Sequence, residues 1–435
     1  MSSKRIMLLF VVLLSTIFAC SNDRPLNIIL VIGDGAGFAQ QQVASCFVYG
    51  EKNSLSSQSF PVQLACTTFP ADGHGYDPEK AWSEFDYLKQ KPTDSAASGT
   101  ALACGVKTCN GAIGVDMEKQ VLVNLLERAE RAGKGTGVVT TVPFAHATPA
   151  AFVAHNEHRH NYHAIAEEMI LKSGVDVIMG AGHPHFNDNG EQIDEPDYKY
   201  LSETLWKTVN NDTSTAARRW TLIQDRREFQ ELMSGAAPER VFGLAPVAST
   251  LQAGRDGGDQ QTYPFDVPLL ENVPTLEEMT LAAVNVLDDD PDGFVLMVEA
   301  GAVDWACHGN NGPRMIEEMA GMEETVNALI NWIENESSWQ QTLLVVTADH
   351  ETGYITGPES NRGEPVWNPV VNNGQNKMPG FEFHSSSHTN SLVPLQAKGK
   401  GAENFKLVAV NRDSVYGSFL DNTDIGIILK SLVAN

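Results

Sequence analysis

Positive charge is scarce in this chain. Its 435 residues carry 30 lysines and arginines against 55 aspartates and glutamates, for a formal net charge of −25. That balance argues against nonspecific nucleic-acid binding, which depends on basic surface that releases counterions. Any anionic substrate must therefore meet positive charge that is supplied locally. The six cysteines form no C-x-x-C pair. The apolar run Ile6 to Ala19 is fourteen residues long, short of the about 20 that a spanning helix needs. Internal repeats and long low-complexity linkers are also missing. The glycine spacing of Gly33-Asp34-Gly35-Ala36-Gly37 does not fit G-x-G-x-x-G, and Asp34 would repel a pyrophosphate, which argues against a dinucleotide-binding loop. With 42% hydrophobic and 20% charged residues, what remains is a globular composition with enough apolar surface for a core.

The N-terminus reads as an export signal. Lys4 and Arg5 precede the apolar run, which ends at Cys20 and a polar stretch from Ser21 to Pro25. The segment Ile17-Phe18-Ala19-Cys20 resembles a bacterial lipoprotein cleavage box, although Phe18 is bulkier than the usual small residue. On that resemblance residues 1–19 are removed and Cys20 carries a lipid anchor, the chain's one link to a membrane, in the periplasm or at the outer membrane. The alternative is an ordinary secretory signal cut nearby. Cys46, Cys66, Cys104, Cys109 and Cys307 remain, an odd number, so at least one thiol is free unless a bridge forms between molecules. They read mainly as small buried residues, with room for one bridge whose pair the spacing does not choose.

Short β-branched runs alternate with helical stretches, the pattern of an α/β fold whose parallel sheet is covered on both faces. Candidate strands are Asn27 to Ile32, Gly137 to Val142, Val175 to Met179, Phe294 to Val298 and Thr342 to Thr347; candidate helices are Val121 to Arg131 and Pro313 to Glu334. The region 183–274 is less periodic and reads as peripheral decoration on a single domain spanning 20–435.

Polar residues fall where three of those strands end. Asp34 follows the first, Glu299 with Asp304 and His308 the fourth, and Asp349-His350 the last. Ligands of open α/β sheets bind beyond the carboxyl ends of the strands, so one rim receives carboxylates and imidazoles together, as a metal site requires. Asp304 and His308 are four apart and share a face if helical. Pro92-Thr93-Asp94-Ser95-Ala96-Ala97-Ser98-Gly99 is a small-residue run that opens at a candidate helix N-terminus, which suits close approach of a phosphate. No Lys or His adjoins Ser95 in sequence, so its activation points to a metal.

Taken together these segments resemble the alkaline phosphatase family. Beside the glycine-rich turn at Asp34 and Thr93-Asp94-Ser95-Ala96-Ala97-Ser98, the resemblance is carried by Gly105 to Gly111, His146-Ala147-Thr148-Pro149 with Arg159, Glu299 to His308, Thr347-Ala348-Asp349-His350, Ser387-His388-Thr389 and Val393-Pro394-Leu395. It implies a three-layer α/β/α sandwich with a mostly parallel sheet, and hydrolysis of phosphate monoesters through a phosphoserine on Ser95. Asp304, His308 and His388 are implied ligands of one zinc, and Asp34, Asp349 and His350 of a second. Asp34 would also reach a third ion, usually magnesium, completed by Thr148, Glu299 and waters. Arg159 matches the arginine that grips two phosphate oxygens, a task suited to its planar fork. A homodimer is implied as well. His155, His158, His160 and His163 match no family ligand and read as surface or packing residues.

Two positions depart from the best-known pattern. His146 opens the third-ion site where many bacterial relatives have Asp, which makes zinc an alternative to magnesium there, and Trp305 stands where others carry Lys or His. Other readings are a phosphodiesterase of the same superfamily and a non-catalytic phosphate-binding lipoprotein. The former is disfavoured by the match to a monoester's extra charge, and the latter would have no need of Ser95. A sulfatase is disfavoured because no Cys or Ser stands in a C/S-x-P-x-R context.

Overall fold

The computed structural model describes residues 24–210, 219–363 and 366–433. The expected export signal, residues 1–19, and Cys20 lie outside the described residues. In chain order the main sheet is built from β1 (Asn27–Gly33), β2 (Val62–Thr67), β3 (Gly135–Pro143), β4 (Val177–Ala181), β5 (Thr221–Ile223), β6 (Val241–Leu244), β7 (Phe294–Ala300), β8 (Thr342–Ala348), β9 (Val393–Gly399), β10 (Asn411–Asp413) and β11 (Gly417–Asp421). These eleven strands lie in the order β10-β11-β2-β9-β8-β1-β7-β3-β4-β6-β5. Only β9 and β10 run against the others, so the sheet is mostly parallel.

The central strands β1, β3, β7 and β8 are buried along their whole length. Helices cover both faces, which is why a run such as Asn27-Ile28-Ile29-Leu30-Val31 shows no polar alternation. One set of helices comprises Phe38–Tyr49, Leu276–Leu287 and Gly312–Glu336; the other comprises Ser95–Cys104, Leu125–Arg131, Ala147–Val153 and Asn422–Leu432. Both sets pack against β3 and β7 without extensive contact between them, which puts them on opposite faces and gives the three-layer sandwich. In the longest helix Met315, Met319, Met322, Val326, Leu329 and Ile333 recur at helical spacing on the buried face. Pro313 sits in its first turn, and Asn311 caps it through the Arg314 amide at 3.0 Å.

Some expectations change. The helix expected from Val121 begins at Leu125, because Asn124 and Glu127 form a capping box: Asn124 Oδ1 accepts from the Glu127 amide at 2.9 Å, and Glu127 Oε2 from the Asn124 amide at 3.1 Å. The 183–274 stretch supplies β5 and β6, the strands at one end of the sheet, so it is peripheral in position yet part of the sheet. No disulfide joins the five cysteines at positions 46, 66, 104, 109 and 307; all are free, and all but Cys109 are buried. Among the described residues no helix is long and apolar enough to cross a membrane.

Candidate active site

Parallel pairing in register brings the candidate residues together. Gly33 lies opposite Ala348 of β8 and Ala300 of β7, and Glu299 lies opposite Thr140 of β3. The carboxyl ends of β8, β1, β7 and β3 thus form one rim, bearing in turn Asp349 and His350, then Asp34, then Glu299 and Asp304, then His146 and Thr148. Gly35 completes the turn after β1 with φ 74°, a left-handed conformation that glycine adopts without strain. A Cβ there would stand 2.9 Å from the Asp304 Cα. Its amide instead donates to Asp349 Oδ1 at 3.2 Å.

Helix Ala302–His308 presents Asp304 and His308 on one face, with His308 Nε2 3.3 Å from Asp304 Oδ2. His388 arrives from another direction: the segment His388–Thr389 pairs antiparallel with Glu351–Thr352, just after His350. This lays the His388 ring on the His350 ring with centroids 3.6 Å apart, and puts His388 Nε2 3.4 Å from Asp304 Oδ1. His350 Nε2 lies 3.4 Å from Asp34 Oδ1 and 3.2 Å from Asp349 Oδ2. Two clusters result, Asp304 with His350 and His388, and Asp34 with Asp349 and His350, each with ligand-type atoms within 4.8 Å of one another. His308 joins the first through its contacts with Asp304 and His388.

The donor chemistry of both clusters fits cations. His308 Nδ1 donates to the Ser386 carbonyl at 2.7 Å and His388 Nδ1 to the Thr93 carbonyl at 2.8 Å. Both Nε2 lone pairs are thereby turned inward, 3.0 Å from each other. Both oxygens of Asp34, Oδ2 of Asp349, Oε1 of Glu299 and Nδ1 of His146 are buried without a hydrogen-bond partner. Buried charges of one sign are tolerated only when paired or bound to metal. Without ions the site holds protons instead. Burial drives Asp34 well above the ordinary carboxylate range, reinforced by Asp349, Asp304 and Glu299. Burial likewise pushes Asp349 and Glu299 up to about 7, hydrogen bonding from Thr140 and Thr148 opposing the rise at Glu299. Burial pushes Asp304 the same way, but hydrogen bonds from His308 and His388 outweigh it and hold this group well below the usual range. The hydrogen bond to Asp304 raises His308 to about 9.

Ser95 opens the helix Ser95–Cys104, whose N-cap is Asp94. Its Oγ is 3.3 Å from His350 Nε2, so an imidazole absent from its sequence neighbourhood stands beside it in space. Asp94 Oδ1 accepts from the Ala97 amide at 2.9 Å, while Oδ2 accepts from Arg159 Nη1 at 3.0 Å and the Gly111 amide at 2.9 Å. A cleft of about 310 Å³ is lined by Ser95, His146, Arg159, Asp304, Trp305, His308 and His388. Within it the His146 ring meets Trp305 edge-on at 5.8 Å and lies near-parallel to Tyr162 at 6.4 Å. Burial, then Arg159, lowers His146 to about 3, so it is a neutral imidazole. Of the other histidines, His155 packs with Glu168 at 2.9 Å, while His158, His160 and His163 are exposed.

Sequence reasoning did not single out Asp94, Thr352 or Asn422. Thr352 Oγ1 donates to Asp304 Oδ1 at 2.6 Å. Asn422 Nδ2 donates to Ser98 Oγ at 3.1 Å, and Ser98 Oγ to the Asp349 carbonyl at 2.6 Å. Asp94 carried a signal, the Asp that precedes a small-residue helix; the other two act across more than 40 positions and carried none.

Comparison with known proteins agrees with this geometry. The alkaline phosphatase family model matches residues 26–416. The chain is 32% identical over 344 residues to alkaline phosphatase 3 of Bacillus subtilis, covering 77% of this chain and 62% of that protein. It is 30% identical over 418 residues to alkaline phosphatase H of Pseudomonas aeruginosa, covering 88% and 82%. The crystal structure of a cold-active alkaline phosphatase from a psychrophilic Shewanella superposes with a TM-score of 0.68 at 25% identity, covering 94% and 100%. The chain spans less than two thirds of the Bacillus subtilis relatives it matches, 65% and 62%. On the family model and the Pseudomonas relative alike, this chain belongs to the alkaline phosphatase family.

Proposed function

We propose that the protein hydrolyses phosphate monoesters through a phosphoserine formed on Ser95. The observation that carries this reading is the position of Ser95 Oγ, 3.3 Å from His350 Nε2, on a capped helix N-terminus beside both ligand clusters. Asp304, His308 and His388 would hold one zinc and Asp34, Asp349 and His350 another, with a third ion, magnesium or zinc, among Asp34, His146, Thr148 and Glu299. When bound, these ions supply the positive charge that neutralises a monoester dianion, its leaving oxygen and the Ser95 alkoxide.

The chain's own residues do the rest. Arg159, steadied by Asp94, takes two equatorial phosphate oxygens in its fork. The free amides at the start of helix Ser95–Cys104 add partial positive charge on the nucleophile's side. Ser95 Oγ gives up its proton and attacks phosphorus in line, the ester P–O bond breaks on the opposite side, and the freed oxygen takes a proton from solvent and departs as the alcohol. Water attack from the vacated side then breaks the Oγ–P bond, releasing phosphate, and a proton given up by that water restores the Ser95 hydroxyl. A cleft that neutralises so much negative charge is suited to a dianionic monoester.

We further infer export, with a lipid on Cys20, and a homodimer. The N-terminal sequence supports the first and the family resemblance the second. Metal analysis of purified protein, beside monoesterase activity before and after chelation, tests cofactor and reaction together. Acid quenching during turnover should trap phosphate on Ser95, and full activity with no bound metal would refute the scheme.

A further inference from the structure

A hollow of about 600 Å³ opens beside the catalytic cleft and shares His308 and His388 with it. Asp72, Lys91, Asp94 and Asn110 are among its other walls. In an in-line displacement the leaving oxygen departs on the side of phosphorus opposite the nucleophile. His308 and His388 stand together where cleft and hollow meet, their Nε2 atoms 3.0 Å apart, and Asp94, which holds Arg159, is on the hollow's wall. The hollow is thus space contiguous with the phosphate site that can take the alcohol of a bound ester.

Most polar groups there are already committed. Asp94 serves Arg159, Gly111 and Ala97. Asn110 accepts from the Asp94 amide at 2.9 Å and donates to the Pro92 carbonyl at 3.0 Å. Lys91 and Asp72 are different. Both are exposed, and neither side chain has an ion-pair or hydrogen-bond partner among the described residues. The backbone under Lys91 is nevertheless held: its φ is 44°, in the left-handed region uncommon for a residue with a side chain. Asn390, buried and two residues beyond His388, donates to the Gln90 carbonyl at 2.7 Å and the Lys91 carbonyl at 3.4 Å. Strain of this kind persists where surrounding contacts enforce it, commonly at ligand sites.

We propose that this hollow is the leaving-group subsite, and that Lys91 and Asp72 read the hydroxyl groups of a sugar or polyol monoester. Lys91 can donate to a hydroxyl oxygen and Asp72 can accept from a hydroxyl proton, so an alcohol that carries several hydroxyls serves both groups. An alkyl chain would desolvate both charges without replacing their hydrogen bonds. No phenylalanine, tyrosine or tryptophan lines the hollow, so an aryl or nucleobase leaving group finds no such ring to stack on.

The inference rests on the phosphomonoesterase reading, and the experiment separates the two. The metal-loaded enzyme is assayed with glucose 6-phosphate and n-butyl phosphate, both esters of primary alcohols. Lys91→Gly, which keeps the left-handed backbone unstrained, and Asp72→Ala should each lower kcat/KM for the sugar ester about tenfold, the worth of a hydrogen bond to a charged group. The butyl ester should change by less than about twofold on the same scale. Dissociation constants of the matching sugar and butyl phosphonates, measured by calorimetry, should move in parallel. Equal effects on both ligands, or none on either, would overturn the subsite. Failure of the wild type to turn over either ester would overturn the phosphomonoesterase reading, and the phosphonates would still decide whether Lys91 and Asp72 recognise hydroxyls.

Discussion

Asp94 Oδ2 accepts from Arg159 Nη1 at 3.0 Å while Oδ1 of the same carboxylate caps the helix that Ser95 begins. One side chain therefore sets the spacing between nucleophile and phosphate grip. Asp94→Ala should raise KM about tenfold by freeing Arg159, the scale of one charge-assisted hydrogen bond. It should also cost about 1 kcal/mol of stability through the lost cap. Asp94→Asn separates the effects, because the amide oxygen can still cap the helix while the charge facing Arg159 is gone. Steady-state kinetics beside urea melts should show Asn more stable than Ala by about the worth of the cap, since both lose the Gly111 bond, with KM still raised. An unchanged KM in both variants would deny Asp94 its hold on Arg159.

Ser95 and Ser98 lie one turn apart on that helix and are expected to behave differently. Ser95→Ala should lower kcat by about a thousandfold or more, as loss of a nucleophile does, with bound zinc near normal because every metal-type ligand is intact. Ser98 touches the Asp349 carbonyl and not the cleft. Ser98→Ala should retain most turnover and lose about 1 kcal/mol of stability, the net worth of a buried hydrogen bond. Comparable losses of kcat in the two variants would contradict a phosphoserine on Ser95.

How far the sequence announced this arrangement depends on the range of each interaction. The ends of β1, β7 and β8 were readable because unbroken apolar runs stop abruptly at Asp34, Glu299 and Asp349. The separation of Asp304 from His308 predicted a shared helix face, and the structure has it. The antiparallel β9 was not read as a strand, since Pro394 interrupts its apolar run and its partners Leu64 and Thr347 are far away in sequence. The helix at Leu125 was overextended because Val121 and Leu122 fit its periodicity, although Asn124 and Glu127 already spelled a capping box. That His350 neighbours Ser95 follows from no local spacing, since 255 positions separate them and pairing of the strands closes that distance; only the family resemblance, which sets both at one zinc, pointed to it.

Away from the cleft, Glu318 is a buried acid with a measurable signature. Burial, with Glu317 adding to it, lifts its carboxyl from 4.5 to about 7, and its Oε1 has no hydrogen-bond partner. Neighbouring Glu317 takes up Arg255 at 2.9 Å and Arg314 at 3.1 Å. The folded protein therefore binds a proton at Glu318 that the unfolded chain releases above pH 4.5, so stability falls as pH rises through the interval from about 4.5 to 7. Glutamine mimics the protonated acid. Glu318→Gln should be nearly neutral at pH 5 and stabilising by about 1–3 kcal/mol at pH 8, the range expected for relieving a buried charge. Denaturant melts at the two pH values check this, and a variant that is destabilised equally at both would show that the carboxylate is satisfied as it stands.

His146 is the position where a change of ligand chemistry has the most leverage. It sits at the N-cap of helix Ala147–Val153, half-buried on the wall of the cleft, with Nδ1 unpartnered and Thr148 just inside the helix. An imidazole is neutral and softer than a carboxylate, so a third site built with it suits magnesium poorly, a hard ion that prefers oxygen ligands. His146→Asp restores an oxygen and adds a charge to a region that already holds Asp34, Glu299, Asp304 and Asp349. With metal removed, that extra buried carboxylate has no counter-charge, so the variant should melt at a lower temperature than the wild type. With magnesium present the order should reverse, because ion binding to the folded state raises stability in proportion to affinity. Magnesium titrations of metal-depleted protein, followed by melting temperature and by calorimetry, should therefore show tighter binding in the variant. Turnover should change through phosphate release while phosphoserine formation on Ser95 persists. If the wild-type site takes zinc instead, zinc alone will raise its melting temperature and magnesium will not, whereas equal magnesium affinity in the two proteins would mean that His146 is not a ligand of the third ion.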